Sequence, residues 1–239
     1  MSKFSFVLFD LDGTITDSGP GIIKAAMLAL EHFGIRENDE ERKRLFVGPP
    51  LDRSFMDRYG LSKDQAWEAI GVFREYYNDK GVFENSVYPG MDALLKELKD
   101  NGLVLAIASS KPQPLIHKVL SHFELEKYFD VIVGCELDGT RSTKSEVVKE
   151  VLSRLSDIAR KRNMLDCSDA DPEEKVSEVI KKSVMVGDRF YDAEGAHAFE
   201  IPCIGVLYGY GTRKEMEDAH ADYIAETVED IGRIICSEN

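Results

Sequence analysis

Consecutive apolar residues, rather than alternating ones, punctuate this chain. Phe4 to Phe9, Leu103 to Ala108, Val131 to Val133, Ser183 to Val186 and Cys203 to Val206 are each short and rich in Val, Ile, Leu or Phe. Runs of this kind predict strands buried on both faces. Helical spacing fills the stretches between them, which predicts an α/β fold with a parallel sheet covered by helices on both sides. The span between the first two strands is too long for a simple crossover. From about Gly19 to Gly81 it reads as helical throughout. Pro20 suits a first helical turn after Ser18, and Ser62-x-x-Gln65 forms a capping box ahead of Ala66, Trp67, Ile70, Phe73 and Tyr77 at helical spacing. This predicts a separate helical module at residues 17–85, inserted into a core of residues 1–16 and 86–239, with Val87-Tyr88-Pro89-Gly90 as the return hinge.

The first apolar run opens directly into Asp10-Leu11-Asp12-Gly13-Thr14. Side chains i and i+2 of an extended chain point the same way, so Asp10 and Asp12 are expected to face one space beyond the strand end. Two carboxylates in a small space cannot both stay ionised cheaply, so either a cation sits between them or one is held protonated. Gly13 permits a tight turn, and Thr14 offers a hydroxyl. Taken alone, these residues are equally those of a strand-to-loop junction with two solvated acids. The same holds for later strand ends. Ser109, in Ser109-Ser110-Lys111-Pro112, can be ordinary turn chemistry. Lys144, near Arg141 and Lys149, can lie on a solvated face, and Asp188 and Asp192 can be first-turn acids answering a helix dipole.

Their order along the chain carries more. Asp10-Leu11-Asp12-Gly13-Thr14 resembles motif I of the haloacid dehalogenase (HAD) superfamily of phosphotransferases. Leu103 to Ala108 running into Ser109-Ser110-Lys111-Pro112 is similar to motif II, and Lys144 in Ser142-Thr143-Lys144-Ser145 resembles the motif III lysine. Val184-Met185-Val186-Gly187-Asp188-Arg189-Phe190-Tyr191-Asp192 matches the Gly-Asp-x-x-x-Asp form of motif IV. The resemblance implies a Rossmann-like core with strand order 5-4-1-2-3 and an inserted α-helical cap. Motifs I and IV then meet at the topological switch point, where open parallel sheets bind ligands. Gly48-Pro49-Pro50-Leu51 looks like the phosphoglycolate-phosphatase-like branch, whose members act on various small phosphomonoesters, nucleotides included.

By the same resemblance, Asp10, Ser109, Lys144 and Asp12 are the catalytic residues. Four carboxylates (Asp10, Asp12, Asp188 and Asp192) with no His or Cys beside them suit Mg2+ rather than zinc. The Asp10 and Asp188 carboxylates and the Asp12 backbone carbonyl are implied as ligands, with Asp192 orienting a water on the ion or Lys144. Asp10 is the implied nucleophile, forming an aspartyl-phosphate, and Asp12 the acid and then the base. Ser109, neighbouring amides and Lys144 hold the phosphoryl oxygens. The implied function is a Mg2+-dependent phosphatase acting on a small phosphorylated metabolite. The alternatives are a beta-phosphoglucomutase-type phosphomutase and a non-catalytic regulatory protein on the same fold. Dehalogenation is disfavoured, since halide departure has no need of an acid such as Asp12.

Substrate contacts are expected from Thr14, Ser110 and Arg53, from Thr16-Asp17-Ser18-Gly19, and from the stiff Val47-Gly48-Pro49-Pro50-Leu51 loop leading to Arg53. Arg53 can clamp an anionic group, although a surface arginine needs no such role. One segment departs from the family pattern. Arg154 to Lys182 adds a polar stretch, and a further helix starts at Pro172, capped by Asp171. Since Lys144 stands at the active-site end of this crossover, the insert is expected far from catalysis, as a surface elaboration. The acidic run Asp166 to Asp171 lacks the spacing of a calcium loop.

Composition narrows the setting. A length of 239 residues suits one large domain plus a smaller one. The run after Lys3 is too short for a signal-peptide core, and no stretch is long enough to span a bilayer. Four scattered cysteines (Cys135, Cys167, Cys203 and Cys236) without a Cys-x-x-Cys pair suggest thiols in a reducing, cytoplasmic setting. A net charge of -14 argues against nucleic-acid binding and repels anionic substrates at long range. A phosphate site here therefore depends on local positive charge from a metal and Lys144. A monomer or homodimer is expected.

Overall fold

A computed structural model describes residues 3–136, 140–164 and 172–237. The chain opens with β1 (Phe6–Phe9), whose four side chains are all buried, and a two-residue strand β2 (Thr16–Asp17). Four helices follow: α1 (Gly19–His32), α2 (Glu40–Arg44), α3 (Leu51–Tyr59) and α4 (Lys63–Tyr77). A second short strand, β3 (Ser86–Val87), pairs antiparallel with β2. The remainder alternates: α5 (Met91–Asp100), β4 (Val104–Pro112), α6 (Gln113–His122), β5 (Val131–Cys135), α7 (Lys144–Lys161), α8 (Pro172–Lys181), β6 (Ser183–Gly187), α9 (Phe190–His197), β7 (Cys203–Val206), α10 (Arg213–Asp218), β8 (Tyr223–Ala225) and α11 (Val228–Cys236).

The six main strands form one parallel sheet in the order β5-β4-β1-β6-β7-β8. The five strands expected from the apolar runs occupy the expected positions, and β8 adds a sixth outside β7. With only three residues and no long apolar run, β8 gives little signal in the sequence. Because β1 is central, alternate side chains feed two cores. Val7 and Phe9 pack with Leu94, Leu95 and Leu98 of α5, Val119 of α6 and Ile231 of α11. Phe6 and Leu8 pack with Val148, Val151 and Leu155 of α7 and Ala193 of α9. Both faces are therefore covered, which is what a fully apolar strand requires.

The segment between β2 and β3 is not helical throughout: residues 33–39, 45–50 and 60–62 interrupt it. Ser62 and Gln65 do form the capping box of α4, and Pro20 stands in the first turn of α1 after Ser18. Ala25, Ala26 and Ala29 of α1 and Ala66, Ala69 and Phe73 of α4 share one buried cluster, small residues letting the two helices approach closely. In the later insert, α7 continues as helix through Arg154 to Lys161, so that stretch is not loop, and α8 packs on α7. The backbone carbonyl of Lys182, just past α8, accepts from the amides of Ser5 and Phe6, at the amino ends of the strands. The acidic run, Cys167 and the Asp171 cap lie outside the described residues. Among the described residues no helix is long and apolar enough to cross a membrane, and Cys135, Cys203 and Cys236 are free thiols.

Candidate active site

The carboxyl ends of β1, β4 and β6 meet at the point where the strand order reverses. Asp10 follows β1 directly, and its backbone N–H donates to the Val186 carbonyl of β6 at 2.9 Å, tying the two strand ends together. The turn after it needs Gly13, at φ +85, since a Cβ there would stand 2.3 Å from Asp188 Oδ2. Asp188 follows β6, and Asp192 lies in the first turn of α9, where its Oδ2 accepts the Arg189 backbone N–H at 3.1 Å. Gly187 lets this helix turn close, a Cβ being 2.2 Å from Asp192 Cγ. Each of Asp10, Asp188 and Asp192 is buried, and one carboxylate oxygen of each lies within 4.8 Å of the others.

Lys144 faces two of this trio. Lys144, the first residue of α7, reaches in with Nζ 3.0 Å from Asp10 Oδ1, 2.6 Å from Asp192 Oδ1 and 3.0 Å from the Ala108 carbonyl, to which it donates. A Thr143/Glu146 capping box fixes the start of α7 and so aims the lysine. Burial acts to lower the Lys144 pKa, but Asp10 and Asp192 outweigh it and hold the ammonium charged. The charge count still does not close. Were all three carboxylates ionised, the one ammonium of Lys144 would not balance them. Burial pushes Asp188 well above the usual carboxylate range, with repulsion from Asp192 and Asp10 adding to it. Burial likewise pushes Asp192 up to about 6, against the pull of Lys144. Apart from these contacts with Lys144, Oδ1 of Asp10 and of Asp192 has no hydrogen-bond partner among the described residues. Buried, oxygen-only and short of positive partners, this donor set fits a hard divalent cation such as Mg2+.

Asp12 is in a different environment. Both of its carboxylate oxygens lie 2.9 Å from Nζ of Lys111, which also donates to the Tyr77 hydroxyl at 2.6 Å. Thus Asp10 and Asp12 do not share one pool of charge: each has its own lysine. Neither Lys111 nor Tyr77 was legible as a site residue. Lys111 sits in a run that reads as a turn, whereas β4 continues through it to Pro112, with a register irregularity between Ala108 and Pro112. That irregularity carries Lys111 into the interior. The available signal was arithmetic, since Lys144 alone cannot balance four buried carboxylates.

The other expected residues divide. Ser109 is buried at the end of β4, its Oγ accepting the Lys111 backbone N–H at 3.3 Å. Thr14 is fully buried and turned towards Asp188, Oγ1 to Oδ1 at 3.5 Å, so it braces a carboxylate rather than lining an open cleft. Ser110 is half-buried. Arg53 is exposed on α3, and no contact brings it to the carboxylates. The Val47 to Leu51 loop does approach: Arg189, beside Asp188, donates to the Val47 carbonyl and pairs with Glu215 at 2.8 Å. Tyr210 joins the same neighbourhood. Its backbone N–H donates to Asp188 Oδ2 at 2.7 Å, its hydroxyl donates to Asp17, and Arg44 lies 4.9 Å over its ring.

The chain is similar in sequence and in structure to known proteins. The family model described as haloacid dehalogenase-like hydrolase matches residues 7–206. A 5'-nucleotidase from Pseudomonas aeruginosa is 37% identical over 214 residues, covering 90% of this chain and 87% of the relative. Tyrosine-protein kinase PtkA from Mycobacterium tuberculosis is 35% identical over 92% of this chain, which spans 65% of that relative's length. Among solved structures, a predicted phosphatase from Clostridium acetobutylicum superposes with a TM-score of 0.82 at 40% identity, covering 96% of this chain and 97% of that one.

Proposed function

The chain belongs to the haloacid dehalogenase-like hydrolases, and from that premise we propose that it is a Mg2+-dependent phosphatase that hydrolyses a small phosphomonoester through an aspartyl-phosphate on Asp10. The observation that carries this reading is the buried, oxygen-only cluster of Asp10, Asp188 and Asp192, beside a further carboxylate, Asp12, that stands outside it on its own lysine. The Asp10 and Asp188 carboxylates and the Asp12 backbone carbonyl would hold the ion, with Asp192 next to them. When bound, Mg2+ supplies charge that draws an anionic phosphoryl group to a chain of net charge -14.

The protein's own groups do the rest. A carboxylate oxygen of Asp10 attacks phosphorus, the bond to the leaving oxygen breaks, and Asp12 gives that oxygen a proton. Asp12 then takes a proton from the water that attacks the acyl phosphate, returning Asp10 to its starting state. Lys144 and Ser109 hold the phosphoryl oxygens, whose charge must be stabilised through both displacements. Burial of the site supports the scheme because each of these charges acts more strongly out of bulk water. We further propose that residues 17–85 form a cap over the core of 1–16 and 86–239, hinged at the β2–β3 ribbon, and that its contacts select the leaving group.

The test is phosphate release from a panel of phosphomonoesters, nucleoside 5'-monophosphates and phosphoglycolate among them, with Mg2+ and with excess EDTA. Release with Mg2+ that stops in EDTA is expected. No release from any ester, or full activity in chelator, refutes the reading. Isomerisation of a hexose 1-phosphate without phosphate release would replace it with the mutase.

A further inference from the structure

The reaction scheme leaves one buried ion pair without a part. Lys111 is buried, its ammonium gripping both oxygens of Asp12 while donating to the Tyr77 hydroxyl. An ammonium has three N–H donors, and these three acceptors use all of them. Lys111 therefore has no donor in hand for a substrate, and its chemistry is directed at Asp12. The three groups come from separate parts of the chain: the turn after β1, the irregular end of β4, and the last residue of α4. Tyr77 is itself fixed, its ring stacked on Phe73 with centroids 5.0 Å apart and lying 4.9 Å from Lys111 Nζ. A carboxylate held on both oxygens has a single orientation, and proton transfer demands orientation within hydrogen-bond reach of the leaving oxygen.

We propose that Lys111 and Tyr77 are positioning residues for Asp12, the hydroxyl at the end of α4 holding the ammonium and the ammonium aiming the carboxylate. The seating of the helical segment on the sheet is thereby transmitted to the group that moves the proton. This rests on the phosphatase reading, in which Asp12 is the acid and base.

The experiment compares single-turnover cleavage of an alkyl phosphate, whose alkoxide needs a proton, with that of 4-nitrophenyl phosphate, whose phenolate leaves unaided. Lys111→Met should lower the alkyl rate by about 100-fold or more, with KM within about three-fold and a much smaller loss on the aryl ester. Tyr77→Phe, which keeps the ring, should show the same split at about ten-fold, and should add nothing in the Lys111→Met background. Should Lys111→Met fail to fold, Tyr77→Phe carries the test alone. Equal losses on both esters, or a raised KM with an unchanged rate, would overturn the proposal. A wild-type protein that cleaves neither ester overturns the phosphatase reading itself, whereas an active wild type whose variants show no split overturns only the positioning role.

Discussion

Asp10 and Asp12 stand two residues apart on one turn, yet their surroundings are opposite in charge balance. Asp10 shares Lys144 with Asp192 and lies beside a third buried carboxylate, Asp188, so that its neighbourhood is rich in acid. Asp12 has Lys111 to itself, and that pair is neutral. The difference teaches a division of labour that adjacency alone conceals. The Asp10 side is a cluster of oxygen ligands that could hold a cation. The Asp12 carboxylate is met by Lys111 instead and stands outside that cluster. Like charges placed side by side would have blurred both roles; separate lysines keep them apart.

The comparison breaks most visibly at Asp10. Asp10→Asn keeps the shape but removes the nucleophile, and turnover should fall by more than about 10^3-fold with the fold intact by circular dichroism. A variant that keeps a tenth of wild-type activity would end the assignment. Asp12→Asn probes the other side and should be gentler and more selective. Mg2+ affinity measured by titration should survive, because only the backbone carbonyl is asked to bind. The loss on an alkyl phosphate should be on the order of 10^2 to 10^4. An activated aryl ester should show a burst of phenolate followed by slow turnover, since the second step still needs a base. Equal losses for both esters and no burst would mean that the two aspartates do not divide the work.

How much of this could be read beforehand follows from which interactions are local. The strands were legible because burial on both faces writes an unbroken apolar run, as in Phe6 to Phe9, and helix starts were legible where a cap and its partner are three residues apart, as at Ser62 and Gln65. The carboxylates were legible because strand ends at a topological switch point converge where the sheet is parallel, whereas Lys144, at the start of a helix, was legible only through its resemblance to the motif III lysine. β8 was missed because three residues carry too little pattern. Lys111 was missed because its position depends on a register irregularity in β4 and a hydroxyl 34 residues earlier, neither of which leaves a local mark. Thr14 was identified as a hydroxyl near the site, but its direction, towards Asp188, is set by the turn geometry at Gly13. For Arg53, exposed on α3, proximity in sequence to a stiff loop says nothing about which way the helix turns its faces.

The smallest expected effect concerns stability and sharpens the charge count itself. In metal-free protein, burial and neighbouring acids raise the folded-state pKa of Asp188 and take Asp192 from 3.8 up to about 6. An acid with a raised folded pKa binds more protons folded than unfolded, so stability falls as pH rises. The favourable contribution is complete below about 3.8, the unfolded value, and is lost once pH has passed about 6. Each unit is worth about 1.4 kcal/mol, so the Asp192 shift amounts to at most about 3 kcal/mol, or on the order of 5–10 °C in Tm for a chain of this length. Thermal unfolding in EDTA should therefore show Tm decreasing between pH 4.5 and 7, and Asp192→Asn should flatten that slope. Saturating Mg2+ should raise Tm more at pH 7 than at pH 4.5, because Asp192 has lost its proton above about 6 and the ion binds the folded state alone. Were Mg2+ to raise Tm equally at pH 4.5 and pH 7, or the slope in chelator to be unaffected by Asp192→Asn, the buried carboxylates around Asp10 would not be what the cation answers. The Asp12 side supplies the control, because its charge is already met by Lys111 and Asp12→Asn should leave the Mg2+-dependent part of the slope in place.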